Sequence, residues 1–119
     1  MAARRKPQVY RDMIDTLVNV CRSGQGQIGA RRAREGVWNR NATAEDMPDQ
    51  HKINVLLARL PKADREVLAG MLAQEVEVGV FETLKVLEQY EVTPFEEGYE
   101  GSPYNDFTGR LADWKWPED

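Results

Sequence analysis

Apolar residues recur along the first part of the chain at the three- and four-residue spacing of an α helix. Between Pro7 and Arg22 the apolar stripe consists of Val9, Met13, Ile14, Leu17, Val18 and Cys21. Two glycines follow this stripe and favour its end, because glycine is preferred just past a helix C-terminus. The segment 27–36 predicts a short second helix that ends at a glycine. The segment 39–46, rich in Asn, Thr and Asp, predicts a loop.

Prolines divide the middle of the chain into two further predicted helices. Pro48 and Asp49 are typical of a first helical turn, and apolar residues then recur up to Leu60. Pro61 forces the preceding residue out of the helical region and opens the next helix, so the two helices should form a hairpin or a corner. The stripe of that next helix is Val67, Leu68, Met71, Leu72 and Val76. Gly79 either ends this helix or kinks it.

A last helical stripe precedes a tail of different composition. The stripe consists of Val80, Phe81, Leu84, Leu87 and Tyr90. Its first three members are either core or the seam of a homo-oligomer, and the sequence leaves that alternative open. Residues 92–119 form the tail, which carries Phe95, Tyr99, Tyr104, Phe107, Trp114 and Trp116. Because so many aromatic rings are unusual in a disordered segment, we expect an ordered C-terminal strap with one short helix at 104–112.

These patterns predict one all-α domain over residues 1–119, a compact bundle of four to six helices closed by the strap. A length of 119 residues suits a single domain. The net charge of −4 conceals a division of the chain: residues 1–40 hold nine basic and three acidic residues, whereas residues 41–119 hold seven and seventeen. The chain therefore combines a basic N-terminal part with an acidic helical hairpin and tail. Such a division predicts either a charged contact surface or attraction within the fold.

The sequence offers few residues for catalysis or metal binding. One cysteine, Cys21, excludes an intramolecular disulfide, and one histidine, His51, excludes a Cys/His zinc site within one chain. We expect Cys21 to be core and His51 to be exposed or capping. Glu75 and Glu82 would suit a carboxylate–Mg²⁺ hydrolase if they lay on facing segments, but the clustered acids that such a site needs are missing. The glycines between 24 and 29 lack the strand and the Gly-Lys-Ser/Thr of a phosphate loop.

Several segments resemble a family of small uncharacterised bacterial proteins. They are Leu60-Pro-Lys-Ala-Asp-Arg-Glu-Val-Leu68, Gly79-Val-Phe-Glu-Thr-Leu84, Tyr104-Asn-Asp-Phe107 and Asp113-Trp-Lys-Trp-Pro-Glu118. The resemblance covers about residues 50–119. It implies a cytosolic protein carried by a bacterium or a phage, and it assigns no functional residue.

We therefore predict a cytoplasmic, non-catalytic module that needs no cofactor or metal and binds a partner protein through charged surfaces, as an inhibitor or immunity protein does. No apolar run is long enough for a membrane span. The predicted partner-binding residues are Glu96, Glu97, Tyr99, Glu100, Asp106, Trp114 and Trp116. The alternative is a nucleic-acid-associated module. Its contact residues would be Arg31, Arg32, Arg34 and Trp38, although a pI of 5.1 is low for a dedicated nucleic-acid binder.

Overall fold

Five α helices make up the computed structural model, which describes residues 7–92 and 101–117, and no strand occurs within these ranges. In chain order the helices are α1 (Gln8–Arg22), α2 (Ile28–Glu35), α3 (Pro48–Arg59), α4 (Lys62–Gln89) and α5 (Pro103–Leu111). A 3₁₀ turn, Gln25–Gln27, connects α1 to α2. The prediction of an all-α fold with four to six helices is confirmed.

Prolines set the start of α3 and of α4, as the sequence predicts. Pro48 is the first residue of α3, where its missing N–H costs nothing. Leu60, which precedes Pro61, has an extended backbone (φ −81°, ψ 133°) and separates the two helices. α4 then continues without interruption through Gly79 to Gln89. The alternative that a helix ends at Gly79 is therefore wrong, and one rod of 28 residues, about 42 Å long, replaces two shorter helices.

The buried apolar side chains form two separate clusters along α4. The α1/α5 cluster comprises Tyr10, Ile14, Val18, Cys21, Leu84 and Phe107. The α2/α3 cluster comprises Ala30, Ala33, Leu57 and Ala69. α4 contributes Leu84 to the first and Ala69 to the second, so this helix joins the two. Val80 and Phe81 pack against the α1/α5 cluster together with Leu84, which places these three residues in the core.

The arrangement of two clusters on one long helix gives an elongated molecule. Its dimensions are 62 × 27 × 20 Å, with a radius of gyration of 18.7 Å. A compact domain of this length has a radius of gyration of about 13.5 Å. The fold is thus a helical assembly extended along α4, less compact than the sequence led us to expect.

The described part of the C-terminal strap, residues 101–117, is ordered and packs on α1. Phe107 is fully buried in the α1/α5 cluster. The hydroxyl of Tyr10 donates a buried hydrogen bond of 2.6 Å to Oδ2 of Asp106. Nη2 of Arg11 donates to the carbonyl oxygen of Pro117 at 2.9 Å, near the end of the strap. The predicted short helix at 104–112 is confirmed as α5.

Two glycines in different backbone conformations are expected to respond oppositely to alanine. Gly36 ends α2 in the left-handed region (φ +82°), and a Cβ there would clash with the guanidinium of Arg65. Gly36→Ala should therefore lower the free energy of unfolding by about 1–2 kcal/mol. Gly70 lies inside α4, where a Cβ would meet nothing within 4 Å. Gly70→Ala should raise the free energy of unfolding by about 0.5–1 kcal/mol. Urea denaturation of both variants measures these changes, and a neutral Gly36→Ala would contradict the left-handed backbone conformation at Gly36.

Candidate interaction surfaces

Part of the charge division along the sequence is neutralised inside the fold. Nη1 of Arg22 lies 3.2 Å from Oδ1 of Asp113, which joins α1 to the strap. Nε of Arg34 lies 2.9 Å from Oε2 of Glu66, which joins α2 to α4. Both pairs connect the basic first forty residues to the acidic remainder. They are largely exposed, and exposed ion pairs contribute about 0–1 kcal/mol each, so they align the helices more than they stabilise them.

The predicted partner-binding residues of the tail have different positions in the structure. Four of them lie outside the described residues, namely Glu96, Glu97, Tyr99 and Glu100. Asp106 is buried, where it accepts the hydrogen bond from Tyr10. Trp116 is half-buried and packs against the α1/α5 cluster. Of the described members, Trp114 alone has an exposed side chain. Asp106 and Trp116 thus hold the strap on α1, and a contact of either residue with a partner protein stays a prediction.

Polar and cationic groups of α1 and α5 surround the Trp116 ring. Nε1 of Trp116 donates to Oδ2 of Asp15 at 3.1 Å. Asp15 also accepts from Nε of Arg110 at 2.7 Å. The guanidinium groups of Arg11 and Arg110 lie 5.6 and 5.7 Å from the Trp116 ring centroid, within cation–π range. The alternation of acids and aromatic residues in the tail is thus explained in this region by attachment to the protein's own first helix.

An unpaired acidic surface lies on the C-terminal half of α4 and the turn after it. Residues 73–92 carry five acids and a single basic residue, Lys85. Glu88 accepts a hydrogen bond from the Ser102 hydroxyl at 2.7 Å. Within the part of the chain that the structure describes, the other four acids form no ion pair; these are Glu75, Glu77, Glu82 and Glu91. This half of the molecule therefore presents uncompensated negative charge to solvent.

A stripe of exposed apolar residues runs along the side of α4 that faces away from α2, and we call it the outer stripe. It consists of Val67, Met71 and Val78, whose exposed fractions are 65%, 59% and 43%. Three exposed acids lie beside it and form what we call the acidic rim: Asp64, Glu75 and Glu82. At 3.6 residues per turn, the stripe and the rim together span about 80° of the helix circumference. Acidic charge and apolar surface thus occupy one face of α4.

The outer stripe contradicts one expectation from the sequence. The helical stripe predicted for this segment included Val67 and Met71 as core residues, but the buried position there is Ala69. Leu68 and Leu72 pack against the α2/α3 cluster instead. The sequence does contain a signal of this outcome, because apolar residues at both 67–68 and 71–72 cover more than one side of a helix.

The basic surface is centred on α2. Arg31, Arg32 and Arg34 are exposed, and Arg34 is the member that pairs with Glu66. The guanidinium of Arg32 lies 5.6 Å from the centroid of the Trp38 ring. Trp38 itself is half-buried, since it returns over α2 and packs on the α2/α3 cluster. The structure thus brings the four predicted nucleic-acid contacts to one end of the molecule, with the Trp38 ring already covered in part by Arg32.

The position of Trp38 over α2 depends on the backbone of Gly36 and on the side chain of Asn54. The left-handed backbone of Gly36 reverses the chain after α2. Oδ1 of Asn54, on α3, then accepts hydrogen bonds from the backbone N–H groups of Trp38 at 2.7 Å and Asn39 at 3.0 Å. Nδ2 of Asn54 donates to the carbonyl oxygen of Asn39 at 2.7 Å. One side chain therefore ties the loop after α2 to α3.

A small apolar cavity of about 110 Å³ lies between α1, the end of α4 and the start of α5. Its described lining consists of Met13, Leu84, Leu87, Glu88, Val92 and Pro103. Glu88 is the single ionisable group among these lining residues, and its carboxylate accepts the hydrogen bond from Ser102. This lining offers apolar contact, without a pair of groups for acid–base chemistry.

The two residues considered for nucleophilic chemistry lie in different parts of the fold. Cys21 is fully buried in the α1/α5 cluster, which confirms the prediction of a core cysteine. His51 lies in the first turn of α3, at the other end of α4, and is half-buried. Glu75 and Glu82 lie on one face of one helix, so they do not face each other across a site. Among the described residues, no group of three His, Cys, Asp or Glu side chains is placed to hold a metal ion.

The Cys21 thiol is expected to be unreactive in the folded protein. Desolvation by burial raises the pKa of Cys21 above its ordinary value of 9.0, and the negative charge of Glu77 raises this pKa further. Because the thiolate is the reactive form, modification by a thiol reagent at pH 8 should be at least about tenfold slower than in 6 M urea. A modification rate that does not depend on urea would contradict the buried position.

As the pH rises above 9.0, the unfolded chain loses the Cys21 thiol proton before the folded chain does, so the free energy of unfolding should fall.

The sequence and the architecture together define a small all-α protein built around one long helix. The chain belongs to the Family of unknown function (DUF6547), whose family model matches residues 3–118. The resemblance to an uncharacterised family is thereby confirmed, and it extends beyond residues 50–119 to include the basic N-terminal part. No curated protein and no solved structure gives a significant match. No helix in the described ranges has the length and apolar character that crossing a membrane requires.

Proposed function

We propose that this protein is a non-catalytic protein-binding module that engages a basic surface of a partner through its acidic half. The observation that carries the proposal is the set of unpaired acids on the C-terminal half of α4 and in the turn after it. A fold that pairs three other acids with arginines leaves these carboxylates without an ion pair among the residues that the structure describes. Solvated carboxylates on a helix lower the stability of the free protein very little, and they are available to pair with a partner's cations.

The distribution of charge over the fold supports this proposal. Residues 28–72, which include α2 and α3, hold eight basic and six acidic residues, a net charge of +2. The described residues of the other end hold five basic and nine acidic residues, a net charge of −4; their ranges are 7–27, 73–92 and 101–117. Because the molecule is 62 Å long, these charges are separated by more than the screening length of about 8 Å at physiological salt. A basic partner is therefore attracted to one end. In a bacterium or a phage, such a module would act as an inhibitor or immunity protein.

Affinity capture with charge-reversed variants tests the proposal. Two proteins are immobilised and exposed to an extract of the source organism. One is the wild type, and the other is a variant with four acids changed to lysine: Glu75, Glu77, Glu82 and Glu91. The matched control reverses four acids of the other half, Glu35, Glu45, Asp46 and Asp49. We expect basic proteins captured by the wild type to be retained by the control and lost by the first variant, with capture weakening as salt increases. Equal capture by all three proteins would refute the proposal.

A nucleic-acid-associated role is the second candidate, favoured by the exposed arginines that α2 presents beside Trp38. Arginines that contact phosphates give affinities that fall steeply with salt. A gel shift with a single-stranded DNA 30-mer at low salt tests this role, using Arg31→Ala/Arg32→Ala and, as the control, Lys52→Ala/Arg59→Ala. The role requires binding that the first variant weakens at least about tenfold and the control leaves unchanged. Absence of a shift, or equal loss in both variants, would exclude it.

A further inference from the structure

We infer that the outer stripe and the acidic rim of α4 form the docking site for a basic amphipathic helix of the partner protein. This inference rests on the proposed function and makes it specific, since it names the face of the molecule and the kind of segment that binds there.

The outer stripe is apolar surface that the fold leaves uncovered. A helix at the surface of a protein normally presents polar residues on its outer side. Val67, Met71 and Val78 break this rule, with 43–65% of each side chain exposed. Beside them Gly70 leaves open space, because an added Cβ there would meet nothing within 4 Å. A second backbone can therefore approach α4 closely at this point. Exposed apolar side chains that share one side of a helix and are rimmed by charge are typical of an interaction site.

The spacing of the stripe indicates that the occupant is a helix. Val67, Met71 and Val78 are four and seven residues apart, so they lie on one side of α4 along about three turns, with Gln74 and Glu75 between Met71 and Val78. Side chains with this spacing pack into the groove of another helix, with apolar side chains at three- and four-residue intervals on both sides. A partner helix of about 20 residues would cover the length from Asp64 to Glu82.

The acidic rim indicates that the occupant is basic. Asp64, Glu75 and Glu82 are exposed, all lie on the same flank of the stripe, and they form no ion pair in the described ranges. Glu75 follows Asp64 by eleven residues and precedes Glu82 by seven. Both intervals return to nearly the same side of a helix. A helix paired with α4 and carrying lysine or arginine at intervals of eleven and seven residues would place a cation opposite each carboxylate.

The same charges argue against a second copy of this chain as the occupant. A two-fold dimer uses the same patch on both partners. The single basic residue on this face of α4 is Lys85, against the three acids of the rim. Two copies of the face would therefore bring like charges together at the edge of the stripe, which opposes association.

A designed peptide provides the probe. It is a labelled, synthetic 21-residue helix with leucines at the spacing of the outer stripe and lysines seven and eleven residues apart on one flank. A peptide of the same composition in scrambled order is its control. Fluorescence anisotropy at 0.15 M salt measures binding to the full-length protein. We expect the designed peptide to bind at least about tenfold more tightly than the scrambled one.

Matched pairs of protein variants then locate the binding site. Met71→Ser/Val78→Ser removes the stripe, and Val55→Ser/Leu56→Ser is its control, since Leu56 on α3 is 44% exposed and Val78 is 43% exposed. Glu75→Lys/Glu82→Lys reverses the rim, and Glu35→Lys/Glu45→Lys is its control. Stripe and rim variants should each weaken peptide binding at least about tenfold, whereas both controls should change it less than twofold. Circular dichroism checks that every variant retains its helix content.

The outcomes separate this inference from the proposed function. The inference would be overturned if both peptides bound equally well, or if the stripe variant and its control bound the designed peptide with equal affinity. In either case the capture experiment with four reversed acids would still decide the proposed function. If sedimentation shows a dimer that Met71→Ser/Val78→Ser abolishes, the occupant is a second copy and the inference is wrong. If the stripe variant loses both the peptide and the captured basic protein, the inference is supported.

Discussion

Replacing Phe107 with alanine is expected to lower the free energy of unfolding by about 3–5 kcal/mol, the range for removal of a buried phenylalanine ring. Phe107 is fully buried on α5, where it packs with Tyr10 and Ile14 of α1. Among the described residues of the strap, Phe107 is the buried apolar member of the α1/α5 cluster, against which Tyr104, Leu111 and Trp116 pack. Loss of the Phe107 ring leaves a cavity between three helices and removes much of the attachment of α5.

Hydrogen exchange and urea denaturation of Phe107→Ala measure both the size and the place of this effect. Amides of α1 and α5 should lose protection, while amides of α2 keep most of theirs. Phe107→Leu, which retains most of the apolar volume, is the control and should cost less than half as much. A loss of protection spread evenly over all helices would show that the two clusters are not separate.

Replacing Leu57 with alanine is expected to cost about 2–5 kcal/mol and to release α3. Leu57 is the fully buried residue of α3 and the largest member of the α2/α3 cluster, whose other members are alanines. Ile53 and Leu60 are only partly buried around it. Alanine side chains bury little apolar area, so Leu57 supplies a large share of the area that this cluster buries. The stability of the cluster therefore depends strongly on this one residue.

The neighbouring residue gives the control for this prediction. Leu56 is 44% exposed, and Leu56→Ala should change the free energy of unfolding by no more than about 0.5 kcal/mol. In Leu57→Ala the amides of α3 should exchange rapidly, together with the loop that Asn54 holds through Trp38 and Asn39. Equal effects of the two alanine substitutions would contradict the assignment of Leu57 to the core.

Local signals in the sequence were sufficient for most helix boundaries. Pro48 and Pro61 mark helix starts, and Gly36 marks a helix end, because each residue restricts or permits particular backbone angles regardless of its surroundings. Gly79 gave a false signal. Glycine weakens a helix by only about 1 kcal/mol, and α4 residues that precede and follow Gly79 in sequence, Val76 and Val80, pack against the α1/α5 cluster and offset that cost.

The interaction surfaces were harder to predict, because they depend on which face of a helix finds a neighbour. Val67 and Met71 have the spacing of core residues, and only the position of α2 shows that Ala69 lies in the core while they do not. Asp106 has the character of a surface acid, but Tyr10, 96 residues away in sequence, brings it into a buried hydrogen bond. Sequence spacing carries no information about such distant partners.

The division of the core into two clusters on one helix has a consequence for how substitutions combine. Phe107 and Leu57 share no neighbours, since one lies in the α1/α5 cluster and the other in the α2/α3 cluster. Energetic effects of residues without common contacts add nearly independently. A substitution in one cluster therefore needs no compensating substitution in the other. Non-additive effects on stability should be confined to residues within the same cluster.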